Sequence, residues 1–156
     1  IPLYGNYVSC NMKNAWQFAK VYRNHLDEFN EPSLDYWLWA TDGWANPKPQ
    51  RYPMGKGAIP EFSFWDGQRL TYVEARKRIY IPLYAHAVQQ TDAYSQLREV
   101  SQKQDIWLWD FDGYDYRELG MTLKEVVNCP FRKMGHAFVL LMLLTDQLSP
   151  EGYFLE

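Results

Sequence analysis

The sequence predicts a mainly helical α+β fold with a minor strand component, contained in one globular domain over residues 1–156. Three observations point there. Apolar residues recur at helical spacing over several long stretches, whereas only Ile106–Phe111 alternates with period two. The composition, 47% apolar and 22% charged, is that of a folded globular chain rather than of disorder. The third is length: 156 residues match the common size of a single domain.

The elements follow in order. A short extended stretch is expected over Tyr4–Ser9. From Asn14 to about Phe29, Ala15, Ala19, Tyr22, Leu26 and Phe29 fall on one face of a helix, with Lys13, Gln17, Lys20 and Asn24 on a polar stripe. Asn30-Glu31-Pro32-Ser33 ends it, and Ser33 is placed to cap a second helix beginning at Leu34. Gly43 to Gly67, with four prolines and several glycines, reads as a long connection of the kind that often carries function. Thr71–Val100 is helical, with Tyr72, Ile79, Leu83, Ala87, Tyr94 and Leu97 facing inward and a kink or break at Pro82. Ile106–Phe111 is the predicted strand, turned by Asp112-Gly113. Thr122 and Glu125 have capping-box spacing, and Lys133–Gln147 is a closing helix apolar nearly all round.

The formal charge of -3 presents no global attraction to nucleic acid or acidic membranes. Cys10 and Cys129 stand alone, which fits neither a disulfide framework nor a zinc site and favours a reducing, cytoplasmic setting. The apolar run Ala137–Leu144 is far too short to span a membrane, and no secretory leader is visible. Seven Trp, 12 Tyr and 8 Phe are core material first. They also raise the odds of a pocket in which rings stack on a planar ligand.

Four motifs invite a chemical reading. W-D-F-D-G-Y-D, Trp109–Asp115, looks like the nucleophile turn of haloacid-dehalogenase-type phosphatases, but too little chain follows it for the rest of that fold. A calcium loop fails too, since Tyr114 and Met121 stand at ligand positions. Asp110 and Asp112 instead hold a turn, or share a cleft in which mutual repulsion supplies an acid or base near neutrality. R-Y-P-M-G-K-G, Arg51–Gly57, offers Arg51, Lys56 and flexible backbone to a phosphate, or is a plain surface loop. Lys20 is a solvated helix residue or, in a desolvated pocket, an amine nucleophile. His136 is a core histidine or a general base at a helix start. No metal-ligand spacing and no cofactor motif is present.

Two stretches carry a family resemblance. K-N-A-W-Q-F-A-K-V-Y (Lys13–Tyr22) resembles the W/F-Q-x-x-K helix of the NADAR (YbiA-like) superfamily. E-A-R-K-R-I-Y-I-P-L-Y-A-H-A-V (Glu74–Val88), followed by I-W-L-W-D-F-D-G-Y, resembles its later helix, strand and acidic turn, and Gly135–Leu144 its final helix. The order of elements matches over about two thirds of the chain. The resemblance implies a compact, mostly helical YbiA-like domain that hydrolyses N-glycosidic bonds. The substrates it implies are riboflavin-pathway ribosylamino intermediates or ADP-ribose attached to guanine.

It further implies Lys20 as a reactive lysine able to form a Schiff base with an opened ribose, with Trp16 and Gln17 lining the ribose site. Asp110 or Asp112 would be the acid. Arg51, Lys56, Tyr114 and His136 complete the expected substrate contacts. One departure is clear: the family's Glu, four residues before the Gln, falls at Lys13, with Glu74 or a turn aspartate as replacement. Three functions therefore stand side by side. They are an N-glycosidase, a non-catalytic phage or bacterial module that sequesters a nucleotide or ADP-ribose compound, and a nucleic-acid accessory protein. The first expects Lys20, Asp110 and Asp112 to converge.

Overall fold

Asn11 opens the first helix, α1 (Met12–Gln17), by accepting the Asn14 backbone N–H at 2.9 Å. These and all other residues, 1–156, are described by a computed structural model, whose contacts divide into two compact units, Ile1–Ala75 and Arg76–Glu156. Mainly helical α+β is the class observed.

In the first unit the helix expected over Asn14–Phe29 is much shorter. The chain leaves it at Gln17, forms the two-residue strand β1 (Lys20–Val21) and passes through a 3-10 turn at Arg23–His25. The reason is pairing: Ala19 and Val21 carbonyls accept the N–H groups of Phe64 and Glu61 at 2.8 Å each, so they serve a sheet instead of a helix. Ala15, Ala19 and Tyr22 are buried as expected, but Phe29 is exposed. Ser33 caps α2 (Leu34–Ala45), its hydroxyl accepting from the Tyr36 N–H at 3.2 Å.

The expected connection Gly43–Gly67 contains a strand, β2 (Phe62–Trp65), which pairs antiparallel with β1 and with β3 (Gln68–Leu70) in the order β1-β2-β3. Asp66 and Gly67 turn the hairpin with φ of 48° and 79°, the two left-handed positions a tight hairpin turn requires. α3 (Tyr72–Ala75) follows, started by a reciprocal pair of bonds between Thr71 and Glu74. Phe18, Val21, Tyr36, Ala40 and Trp44 form the core of this unit. Phe18 packs against Gly43, where any side chain would meet its ring.

The second unit starts with a π-helical turn, Arg76–Tyr80, and continues into α4 (Ile81–Val88) and α5 (Asp92–Lys103). Pro82 has no N–H to return to the carbonyl four residues back, and the widened turn ahead of it relieves that mismatch. A second break falls at Gln89–Thr91, where Thr91 caps α5. Ile79 and Tyr94 are buried as the helical pattern requires, while Tyr72, expected inward, is exposed. α6 (Leu123–Asn128) carries the expected capping box between Thr122 and Glu125. α7 (His136–Leu144) lies within the expected Lys133–Gln147, buries Phe138, Val139 and Met142, and packs on α4.

Ile106–Phe111 is not a paired strand. Its burial alternates with period two, yet it belongs to no sheet. Periodicity reports which side chains face the protein; a strand also needs a neighbour, and none stands beside these residues.

Candidate functional site

The sharpest polar cluster of the first unit surrounds Lys20. Ending α1 at Gln17 and starting β1 at Lys20 leaves both side chains on the same side of the bend. The Lys20 ammonium donates to Gln17 Oε1 at 3.1 Å and lies 5.4 Å from the centre of the Trp16 ring. Trp16 in turn faces Tyr72, with ring centres 6.4 Å apart. Lys20, Trp16 and Gln17 are all half-buried. The sequence places Gln17 and Lys20 on one helix face; the structure brings them together across a helix-to-strand bend instead. Chemically this is a primary amine, an amide and an aromatic face within one small area. Glu74 lies two residues beyond Tyr72, with one carboxylate oxygen accepting the Thr71 N–H at 3.0 Å. Lys13 is exposed on α1.

Asn14 is a residue whose importance the sequence does not announce. It is fully buried, and its amide nitrogen reaches the carbonyls of Gly43, Asn46 and Lys48 at 3.0–3.1 Å. Its oxygen accepts the Gln50 N–H at 2.8 Å. One side chain thus anchors the chain from the end of α2 to the edge of the Arg51–Gly57 loop. Beyond that anchor Arg51 and Lys56 are exposed, and Arg51 stacks over Tyr52 at 5.4 Å. The Gly55 N–H donates to the Tyr52 carbonyl at 3.1 Å, so it closes a turn and is not directed at a bound anion. A separate groove of about 530 Å³ is lined by Arg23, Asp27, Asn30, Glu61, Phe62 and Arg69. None of the residues expected in the site borders it.

Asp110, Asp112, Tyr114 and His136 belong to the second unit. Asp110 is buried, and its Oδ2 accepts the Ala137 N–H at 2.9 Å, capping α7 from a distant point in the chain. Its backbone carbonyl accepts the Gly113 N–H at 3.2 Å and closes the acidic turn. A side chain on Gly135 would collide with the Asp110 carboxylate, so glycine is what lets the two meet. Asp110 Oδ1 is buried and makes no hydrogen bond within the chain.

His136 stands beside this carboxylate, Nδ1 to Oδ2 4.0 Å, and its side chain is 54% exposed. It is therefore not a core histidine; its ring borders Tyr84 at 5.7 Å. Burial, and then the negative charge of Asp110, raise the Tyr84 phenol above its ordinary value. Asp112 is half-buried, and Asp115 makes its own turn by accepting from the Arg117 N–H. Tyr114 packs on Phe138 under the Arg132 guanidinium, its hydroxyl buried without a hydrogen bond. Burial chiefly, with a lesser effect of Cys129, raises its pKa against the pull of Arg132 and Arg76.

No three His, Cys, Asp or Glu side chains come together as a metal site, and no helix is long and apolar enough to cross a membrane. No family model, curated protein or solved structure matches this chain.

Proposed function

We propose that the chain is an N-glycosidase-type hydrolase acting on a ribosyl N-glycosidic bond in a nucleotide or ADP-ribose compound, such as ADP-ribosylated guanine, with Lys20 as its reactive amine. The observation that carries the reading is the Lys20 cluster: an amine 3.1 Å from the Gln17 amide oxygen and 5.4 Å from the Trp16 ring centre. It stands on the family resemblance of Lys13–Tyr22, and a free nucleotide or an ADP-ribosylated nucleic acid is the substrate that resemblance implies.

The chemistry follows from the residue types. Breaking the bond from ribose C1 to the base nitrogen leaves positive charge on C1, and the departing base takes up a proton. An aromatic face that holds an ammonium also favours a cationic sugar carbon or an iminium beside it. The deprotonated Lys20 amine gives its lone pair to C1 as the base leaves, and loss of a proton gives a C1 amine adduct; opening of the ring C1–O4 bond, with a proton taken up on O4, turns that adduct into an imine. Water then adds to the imine carbon and the C1–Nζ bond breaks, which frees the sugar as its aldehyde and restores the amine. Gln17 orients the amine throughout.

A binding module that holds the same compound without turnover is the second reading, and exposed Lys13 in place of the family's glutamate favours it. Incubation with ADP-ribosylated guanine nucleotides, with free ADP-ribose followed by mass spectrometry, decides between them. The hydrolase releases ADP-ribose, Lys20→Ala lowers the rate by at least about 100-fold, and borohydride traps sugar on the wild type alone. Binding without release supports the module. Absence of both removes each reading.

A further inference from the structure

The three histidines stand in different surroundings. His25 is buried beside Tyr36 and Trp39, and His86 is exposed on α4 with no carboxylate within ion-pair distance. His136 combines an open ring with a carboxylate held almost wholly out of water. Its Nδ1 lies 4.0 Å from Oδ2 of Asp110, and the two side chains are 54% and 3% exposed. That separation is an ion-pair contact and not a hydrogen bond.

Asp110 has little else to offset its charge. Oδ2 accepts the Ala137 N–H, Oδ1 makes no hydrogen bond, and no lysine or arginine lies within ion-pair distance. Its field therefore acts on the imidazole beside it. A carboxylate next to Nδ1 favours the tautomer with the proton on that nitrogen, which leaves a lone pair on Nε2, across the ring from Asp110. Tyr84 flanks the ring at 5.7 Å. Burial, and then the charge of Asp110, raise its phenol, so it remains a neutral hydroxyl and adds no competing charge.

We propose that His136 Nε2 is a phosphoryl acceptor, with Asp110 as its positioning residue, and that the donor is a small phosphoramidate or acyl phosphate. The Nε2 lone pair forms the new N–P bond while the donor's own bond to phosphorus breaks, and the leaving group departs with that electron pair. From phosphoramidate the leaving group is ammonia. The ring keeps its Nδ1 proton and becomes cationic, and Asp110 balances it as the aspartate of a His–Asp pair balances an imidazolium. Because the phosphoryl group forms across the ring from Asp110, a cation stands between the two anions. The acceptor is also the first residue of α7, a nine-residue helix, and its backbone N–H makes no hydrogen bond within the chain. A helix start of this kind favours an anion, and Arg132 and Lys133 add positive charge to the segment leading into it. The site lies wholly in the second unit and draws nothing from the Lys20 reading.

Potassium phosphoramidate, applied to the whole chain, tests this, with the labelled histidines located by fragment mass spectrometry. His86 is the internal control, since it is also exposed but has no carboxylate beside it. His136 is expected to gain acid-labile phosphate at least about tenfold faster than His86. Asp110→Asn keeps an oxygen able to cap the Ala137 N–H and removes the charge. It is expected to bring the His136 rate down to that of His86 with unchanged circular dichroism. His136→Gln is expected to remove the fast label and leave the slow one. Equal rates at His86 and His136 in the wild type overturn the inference, whether or not the variants fold. So does a folded Asp110→Asn chain whose His136 reacts at the wild-type rate, or a chain that gains no phosphohistidine.

Discussion

Burial between Tyr36 and Trp39 lowers the pKa of His25 below its ordinary value, with Asp35 opposing weakly. The folded chain then holds the proton less tightly than the unfolded one. The stabilising contribution of the neutral ring is complete above the unfolded value, about 6.5, and is lost as pH falls toward the lower folded value. Thermal melts from about pH 8 to pH 5 are expected to fall less steeply for His25→Gln than for the wild type. Parallel curves would assign the pH dependence elsewhere.

Arg76 presents the opposite case, a buried charge held by carbonyls. Its Nη1 donates to Val126, Val127 and Cys129 at 2.9–3.0 Å, and its Nη2 to Arg132 at 3.0 Å. The guanidinium therefore serves the orphan carbonyls at the end of α6 and in the chain leading to α7. Lysine has no such fork. Arg76→Met is expected to destabilise by at least about 3 kcal/mol, since several buried acceptors lose their donor together. Denaturant midpoints at constant slope would measure it. Nothing in R-K-R, read as sequence, distinguishes this buried arginine from Arg78 two residues on; only the carbonyls around it do.

At the scale of elements, α7 shows how distant residues make a helix start. His136–Leu144 has no capping side chain of its own, because its N-cap is Gly135. Asp110 supplies the cap, and the missing Cβ of Gly135 lets it approach. Gly135→Ala and Asp110→Ala are each expected to cost about 1–2 kcal/mol. Because both break the same contact, the double variant should cost little more than either single one. Additive losses in urea unfolding would mean that the glycine and the carboxylate act independently.

Caps written in adjacent residues were legible before folding: Ser33, Thr122 with Glu125, and the break at Pro82. The β2–β3 hairpin was not legible as such: Asp66-Gly67 between short aromatic and mixed runs is a turn signal, but the density of Pro and Gly upstream makes the region read as a long connection. The end of α1 at Gln17 was not legible. Ala19 and Val21 fit a helical face as well as a strand, and hydrogen bonds from Glu61 and Phe64 decide between the two. Of the expected site, the Gln17–Lys20–Trp16 grouping is close in space for a reason other than helical spacing. Asp110 was legible as a turn former but not as the cap of α7.

For the whole molecule, charge is the property that composition specifies most directly. A formal charge of -3 with mixed signs gives no phosphate-attracting field. Single-stranded DNA is therefore expected not to bind with appreciable salt dependence. A steep loss of binding with rising salt, measured by fluorescence anisotropy, would restore the nucleic-acid reading.

The aromatic excess divides in a way composition does not foretell. Tyr4, Tyr7, Trp44 and Trp65 pack edge to face in the first unit, where burial raises the Tyr4 phenol, whereas Trp107, Trp109 and Phe111 stand in water in the second. By itself the sequence determined the mainly helical class, the capped starts at Ser33 and Thr122 and the apolar closing helix, because those depend on residues within a few positions of one another. Tertiary structure alone decided where α1 ends, which carboxylate caps α7, which arginine is buried, and that Ile106–Phe111 has no strand beside it. Each of these rests on a partner tens of residues away, or on the lack of one, and local periodicity carries no information about that.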